Sequence, residues 1–315
     1  MLFLASCLWG VCIPIMKALG TEQAILAPQT GTLGGSAASL CARFGIAALA
    51  VLLWSRRSPL GIRRAEWIHG SILAGFTAVS MFLQVDGLNY TNASTAGFLI
   101  ALYSVVIPLI LWVAGRRRMT PILFACCLLV VAGMVALTGF DPRTFHLGRG
   151  EWENLAAACL FAGQILWVDR VPRDQVDPGR LTFVLCASVA AVCLAALALL
   201  PCGLPALAQA HASPRALGIT LFLGLLGTAV PFIIMNRFQS RVEPVAAGFL
   251  YCIEPLTAAL GAFWLPELLV RDPSLYANEA LTARLAAGGL FILAANLLLL
   301  RDGNTGPSVT RAEET

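Results

Sequence analysis

The chain alternates between long apolar runs and short polar ones, and the apolar runs share one length. Ten of them, at residues 2–19, 36–54, 66–86, 94–114, 120–138, 152–169, 181–200, 216–236, 245–265 and 282–300, hold about 20 residues each. At a rise of about 1.5 Å per residue, such a helix crosses the roughly 30 Å of hydrocarbon in a bilayer. The pattern therefore predicts an all-α polytopic membrane protein with ten transmembrane helices. The first run starts at Leu2 with no basic segment before it and no convincing small-x-small cleavage site after it, so it reads as the first span rather than a removed signal. The stretch 301–315 is polar, contains Gly303, Gly306 and Pro307, and reads as a disordered cytoplasmic tail.

Composition supports the membrane reading. Of 315 residues 58% are hydrophobic and 12% charged, with mean hydropathy +0.81, whereas a soluble domain carries roughly 25% charged residues. The net charge of +4 sits almost wholly in short clusters between apolar runs. That is topology information, and no nucleic-acid partner is expected. Nine of the ten cysteines fall inside apolar runs and only Cys202 lies in a loop, so they read as small core residues rather than a disulfide framework. His69, His146 and His211 are scattered and form no paired metal pattern. No metal or cofactor is expected.

Arginine placement gives an orientation. With the N-terminus inside, the inner segments hold Arg56, Arg57, Arg63, Arg64, Arg116, Arg117, Arg118, Arg170, Arg173, Arg180, Arg237, Arg241, Arg301 and Arg311. The outer ones hold Arg143, Arg149, Arg215, Arg271 and Arg284. Fourteen against five follows the positive-inside rule and places both termini in the cytoplasm of a cell whose inner membrane the chain spans. An internal repeat runs alongside. Thr77-Ala78-Val79 recurs as Thr228-Ala229-Val230 and Ala96-Gly97-Phe98-Leu99 as Ala247-Gly248-Phe249-Leu250, both at a shift of 151, and Cys7-Leu8 recurs as Cys159-Leu160 at 152. Two repeats, 1–138 and 152–300, then hold five helices each. An odd number makes the second inverted relative to the first, the design that gives alternating-access carriers two gates.

Polar groups at mid-membrane cost about 2.5–3.5 kcal/mol on insertion scales and need a reason. Glu254, mid-span and followed by Pro255, is the sharpest case, and its repeat partner is Tyr103. Structural hydrogen bonding to a neighbouring helix is the plainer alternative for it. Arg43 and Lys17 are candidates to hold a carboxylate or phosphate in the outer half, although Lys17 equally suits snorkelling to the interface. Gln84, Gln164 and Asn236 are candidate hydrogen-bonding groups, with interhelical bonding as the alternative. Trp9 and Tyr251, with Trp112, Trp167, Phe98 and Phe249, are candidates for an aromatic wall, though anchoring or packing accounts for most such residues. Asp86 and Asp169 read as helix ends in water.

Leu83-Gln84-Val85-Asp86-Gly87-Leu88-Asn89-Tyr90-Thr91-Asn92-Ala93-Ser94, continuing through Ala96-Gly97-Phe98-Leu99 to Tyr103 and Pro108, resembles the third-to-fourth-helix pattern of the EamA family of the drug/metabolite transporter superfamily. Trp9-Gly10, Lys17 and Arg43-Phe44 are similar to its first two helices, and Gly227-Thr228-Ala229 and Glu254-Pro255 to its second half. Departures are Ser104 where the second half has Pro255, Arg117 in place of a Glu that Glu267 keeps, and long stretches at 20–35 and 270–280. The resemblance implies a ten-helix carrier with a central cavity. The expected function is secondary transport, as an exporter, of a small polar metabolite such as an amino acid. The expected partners are that small-molecule substrate and the lipid bilayer, with a homodimer left open. A membrane-embedded enzyme would require paired carboxylates, a His/Glu metal set or a Ser/Lys dyad at one depth, and none is apparent. A non-transporting receptor or scaffold would be expected to carry a sizeable aqueous domain.

Overall fold

The computed structural model describes residues 1–55, 61–138, 147–280 and 282–301, and among them the regular structure is helix, with no strand. Arg56, Arg57, Arg143, His146, Arg311 and the tail 302–315 lie outside the described residues. Every apolar run carries helix. The elements are α1 (Leu2–Leu26), α2 (Gly31–Ser55), α3 (Arg64–Gly87), α4 (Ala93–Ile100), α5 (Tyr103–Val113), α6 (Pro121–Thr138), α7 (Arg149–Asp169), α8 (Pro178–Leu199), α9 (Pro205–Gln209), α10 (Pro214–Gly224), α11 (Val230–Phe238), α12 (Pro244–Tyr251), α13 (Glu254–Trp264), α14 (Pro266–Leu269) and α15 (Ala283–Arg301).

Three of the runs expected as single helices are interrupted. The fourth breaks between α4 and α5 and the ninth between α12 and α13, while the eighth passes through a π turn at Leu225–Ala229. Tight i→i+3 bonds make the fourth-run break, Leu102 N–H to Leu99 O at 3.2 Å and Ser104 N–H to Ala101 O at 3.0 Å, and Cys252 N–H to Phe249 O at 3.0 Å repeats the device. The short helices α9 and α14 were not expected. Among the described residues, seven helical runs are long and apolar enough to cross a membrane: Leu2–Leu26, Pro28–Trp54, Arg64–Gly87, Ala93–Val113, Pro178–Leu199, Pro214–Arg241 and Pro244–Trp264. The apolar stretches Pro121–Gly133 and Ala283–Leu299 are shorter, and α7 carries Arg149, Glu151 and Glu153 in its first turns.

The repeat is visible in the backbone. Shifted by 151 residues, α4 coincides with α12 and α5 with α13, and α3 overlies the run from Pro214 to Phe238. Contacts between the halves are reciprocal as well. A Cβ placed on Gly97 would lie 3.0 Å from Ala258 Cβ, and one on Gly248 would lie 2.8 Å from Ile107 Cδ1, the same pair of positions with the halves exchanged. Self-complementary contacts of this kind require a two-fold relation. The halves are thoroughly mixed: α2 packs on α8, α6 on α15, α3 on α7 and α8, and α1 on α13.

Glycine sets the closest of these approaches. A Cβ on Gly10 would lie 2.2 Å from Glu254 O and 2.0 Å from Thr257 Oγ1, so α1 touches α13 backbone to backbone at the start of α13. Seven cysteines are buried, and no disulfide joins any of them among the described residues. Cys159 departs from the core assignment, because it faces outward on α7.

Candidate functional site

A small cavity, with about 40 Å³ open to the centre of a water-sized sphere, lies where the two halves meet. Its wall is made of helical stripes, each with the i, i+3, i+4, i+7 spacing that puts side chains on one face. These are Trp9 and Met16 from α1, Met81 and Gln84 from α3, Phe161, Gln164 and Ile165 from α7, and Phe232 and Met235 from α11. Arg43 comes from α2, while Ile100, Tyr103, Tyr251 and Glu254 come from the interrupted helices. None of the wall residues is exposed.

Glu254 and Tyr103 open α13 and α5, and Tyr103 Oη donates to Glu254 Oε2 at 3.3 Å across exactly the repeat's 151 residues. Glu254 lies in the first turn of α13, where the helix dipole favours negative charge. Pro255 has no N–H for the Tyr251 carbonyl, and Ser6 Oγ supplies the missing donor at 2.8 Å.

Arg43 is 1% exposed. Its Nε donates to Thr228 Oγ1, its Nη2 to Gly227 O at 2.9 Å and its Nη1 to Met16 Sδ at 2.7 Å. Pro231 explains the Gly227 contact, since it leaves that carbonyl without a helical donor. Thr228 Oγ1 donates in turn to Leu223 O at 2.9 Å, five residues back, as the π turn requires. Among the described residues no carboxylate pairs with Arg43. A buried cation without a counter-ion costs several kcal/mol, so the site favours an anion.

Further unmet polar capacity faces the same space. Trp9 Nε1 and Gln84 Oε1 are buried and find no hydrogen-bond partner among the described residues. In native proteins such groups are few and call for a ligand or water. Trp9 is itself held edge-on between Phe232 and Tyr251, with ring centroids 5.6 and 5.5 Å away. Gln164 Oε1 accepts from Thr77 Oγ1 at 3.1 Å.

Seven of the nine candidate residues thus line one cavity: Trp9, Arg43, Gln84, Tyr103, Gln164, Tyr251 and Glu254. Lys17 and Asn236 do not. Lys17 Nζ donates to Thr91 O at 2.6 Å and lies over the Tyr276 ring, and Asn236 Nδ2 donates to Thr182 Oγ1 at 2.9 Å. Of the other aromatics, Trp112 faces outward, Phe98 and Phe249 are packed in the core, and Trp167 lies against His69. Asp86 needs correcting. It is 1% exposed rather than a helix end in water, because Arg149 pairs with it and Ser36 Oγ approaches at 3.5 Å.

A family model, the EamA-like transporter family, matches this sequence over residues 1–139 and 150–270. The chain belongs to the EamA-like transporter family. It is a multi-pass membrane protein and a membrane transporter. Among curated relatives it is 27% identical to the uncharacterized transporter YwfM of Bacillus subtilis (strain 168), over 88% of each chain. It is 28% identical to an uncharacterized transporter of Archaeoglobus fulgidus, over 73% of this chain and 75% of the relative. A solved crystal structure shares the fold with a TM-score of 0.59 at 18% identity, covering 94% of this chain and 98% of the other.

The EamA-like cavity also has walls that the sequence reasoning missed: Met16, Met81, Ile100, Phe161, Ile165, Phe232 and Met235. One signal was available. Met81 and Phe161 each stand three residues from a polar candidate on the same helix, Gln84 and Gln164, and so share its face.

Proposed function

We propose that this protein is a secondary carrier for a small metabolite that bears an anionic group and a hydrogen-bond donor, an amino acid being the simplest example. In this reading the ten apolar runs all span the inner membrane, as two inverted repeats with both termini in the cytoplasm, and export is the direction. The observation that carries the proposal is the cavity between the halves, in which buried Arg43 has no acidic partner and Glu254 has no basic one among the described residues. A solute with charge or donors at both ends answers both groups at once. Its apolar body would meet Met16, Met81, Met235, Phe161 and Phe232, and flexible thioethers suit a surface that must fit varied shapes. The reciprocal contacts at Gly97 and Gly248 support two equivalent gates around that site.

Reconstitution in liposomes with a panel of labelled amino acids, nucleosides and organic acids tests this. Flux of at least one zwitterion or acid above empty vesicles is expected, reduced tenfold or more by Glu254→Gln and by Arg43→Ala. A panel without flux overturns the carrier reading, and flux that survives both substitutions overturns the site.

A further inference from the structure

A second void, with about 190 Å³ open to the centre of a water-sized sphere, lies between the C-terminal part of α1, the N-terminal part of α2 and the end of α3. Its rim is exposed at Ala24, Pro28 and Gly31, whereas its floor is buried at Ser36, Ser39, Val85 and Met16. The upper wall offers neutral hydrogen-bonding groups, among them Gln23, Thr30, Thr32 and Asn89. Met16 is the one residue that lines both this vestibule and the central cavity. It is 4% exposed, and its thioether accepts the Arg43 Nη1–H.

We propose that the vestibule is an outer solute subsite in series with the central one, and that Met16, latched by Arg43, is the door between them. The latch is weak by design, since a thioether is a poor acceptor for a guanidinium. An anionic group arriving at Arg43 makes a stronger, charge-assisted bond and displaces the sulfur. Arrival of the solute at the central site thereby frees the door. The ligand class is a small solute with a carboxylate or a similar anion, and this part rests on the carrier reading above.

The door is tested without knowing the substrate. Single cysteines at Ser39 (vestibule) and Met81 (central cavity) are introduced into full-length protein whose native cysteines have been replaced. Membrane-impermeant methanethiosulfonates are then applied from the outer face. Ser39→Cys is expected to label readily. Met81→Cys should label at least tenfold faster once Met16→Ala is added, with the anionic sulfonatoethyl reagent ahead of the cationic trimethylammonium one. Met16→Leu keeps the bulk but loses the acceptor, and should give an intermediate rate. Equal labelling of Met81→Cys with and without Met16 overturns the door, and a silent Ser39→Cys overturns the vestibule. A labelling pattern as expected beside liposomes without flux would leave the door standing and remove the carrier reading. A Met16→Ala protein that does not fold is replaced by Met16→Gly or Met16→Ser, judged by the same rates.

Discussion

α3 runs unbroken from Arg64 to Gly87, whereas its counterpart in the second repeat, from Pro214 to Phe238, passes through the π turn at Leu225–Ala229. The matched residues show how. Thr77 Oγ1 donates to Leu73 O four residues back, at 2.8 Å, and Thr228 Oγ1 donates to Leu223 O five back, at 2.9 Å. Ser80 stands where the second repeat has Pro231, so only the second helix has a carbonyl, that of Gly227, released toward a neighbour. Thr77 faces the neutral Gln164, and Thr228 faces the charged Arg43. The two helices match in position and differ in charge. In the proposed carrier, a cavity with equal sides would bind a solute in two opposite poses with equal strength, and Arg43 on one side would remove that degeneracy.

The largest expected effect tests the closeness of the two halves. Gly10→Ala places a methyl group on the carbonyl of Glu254 and the hydroxyl of Thr257. At a shift of 152 residues the other half has Ala162, fully buried, so only α1 makes this approach. Overpacking of this severity costs about 3 kcal/mol or more. Gly10→Ala is expected to lose most folded protein on size exclusion in detergent. Wild-type yield together with an unchanged Tm would show that α1 can withdraw without penalty.

The charge asymmetry predicts an intermediate effect. Thr228→Val removes both the acceptor of Arg43 Nε and the donor to Leu223 O, leaving a buried cation short of a partner, and should cost about 2–3 kcal/mol. Thr77→Val removes a neutral contact to Gln164 and should cost about 1 kcal/mol. Chemical denaturation in one detergent compares them. Equal destabilisation would mean that Arg43 draws nothing special from the second repeat.

How much of this was legible beforehand follows from what each feature depends on. The helices and their repeat depend on local apolarity and on a shift that can be read from identical tetrapeptides, so α4 and α12 were already paired at Ala96 and Ala247. Glu254, Arg43 and Gln84 stood out because a polar group in an apolar run is itself the signal. Methionine and phenylalanine walls give no such contrast. Met16 looks like any other core residue until two voids are found on either side of it. The break at Ala101–Leu102 was also hidden, since Ser104 stands where the other half has the marking proline. Asp86 was misjudged for a related reason. Its partner Arg149 opens α7, 63 residues away.

The smallest expected effect concerns the end of the bundle where Gln23 of α1, beside the second void, is tied to a segment of the second repeat. His211, between α9 and α10, is partly buried. Its Nδ1–H donates to Leu207 O at 2.8 Å, and its Nε2 faces the Gln23 amide nitrogen at 3.4 Å, so the tie needs the neutral ring. Burial lowers its pKa below the ordinary histidine value. The unfolded chain then binds the proton more readily than the folded one, so stability rises with pH across this window and is lost as pH falls below about 6.5. The loss is expected to be less than about 1 kcal/mol, because the Gln23 contact is long and the ring is not fully buried. Comparing Tm at pH 7.5 and 5.5 for wild type and His211→Asn isolates it, since the substituted protein should lose that part of the acid sensitivity. An identical pH response in both proteins would show that the tie between the halves here is made by Glu22 with Ser213 and Arg271, which holds without a titrating imidazole.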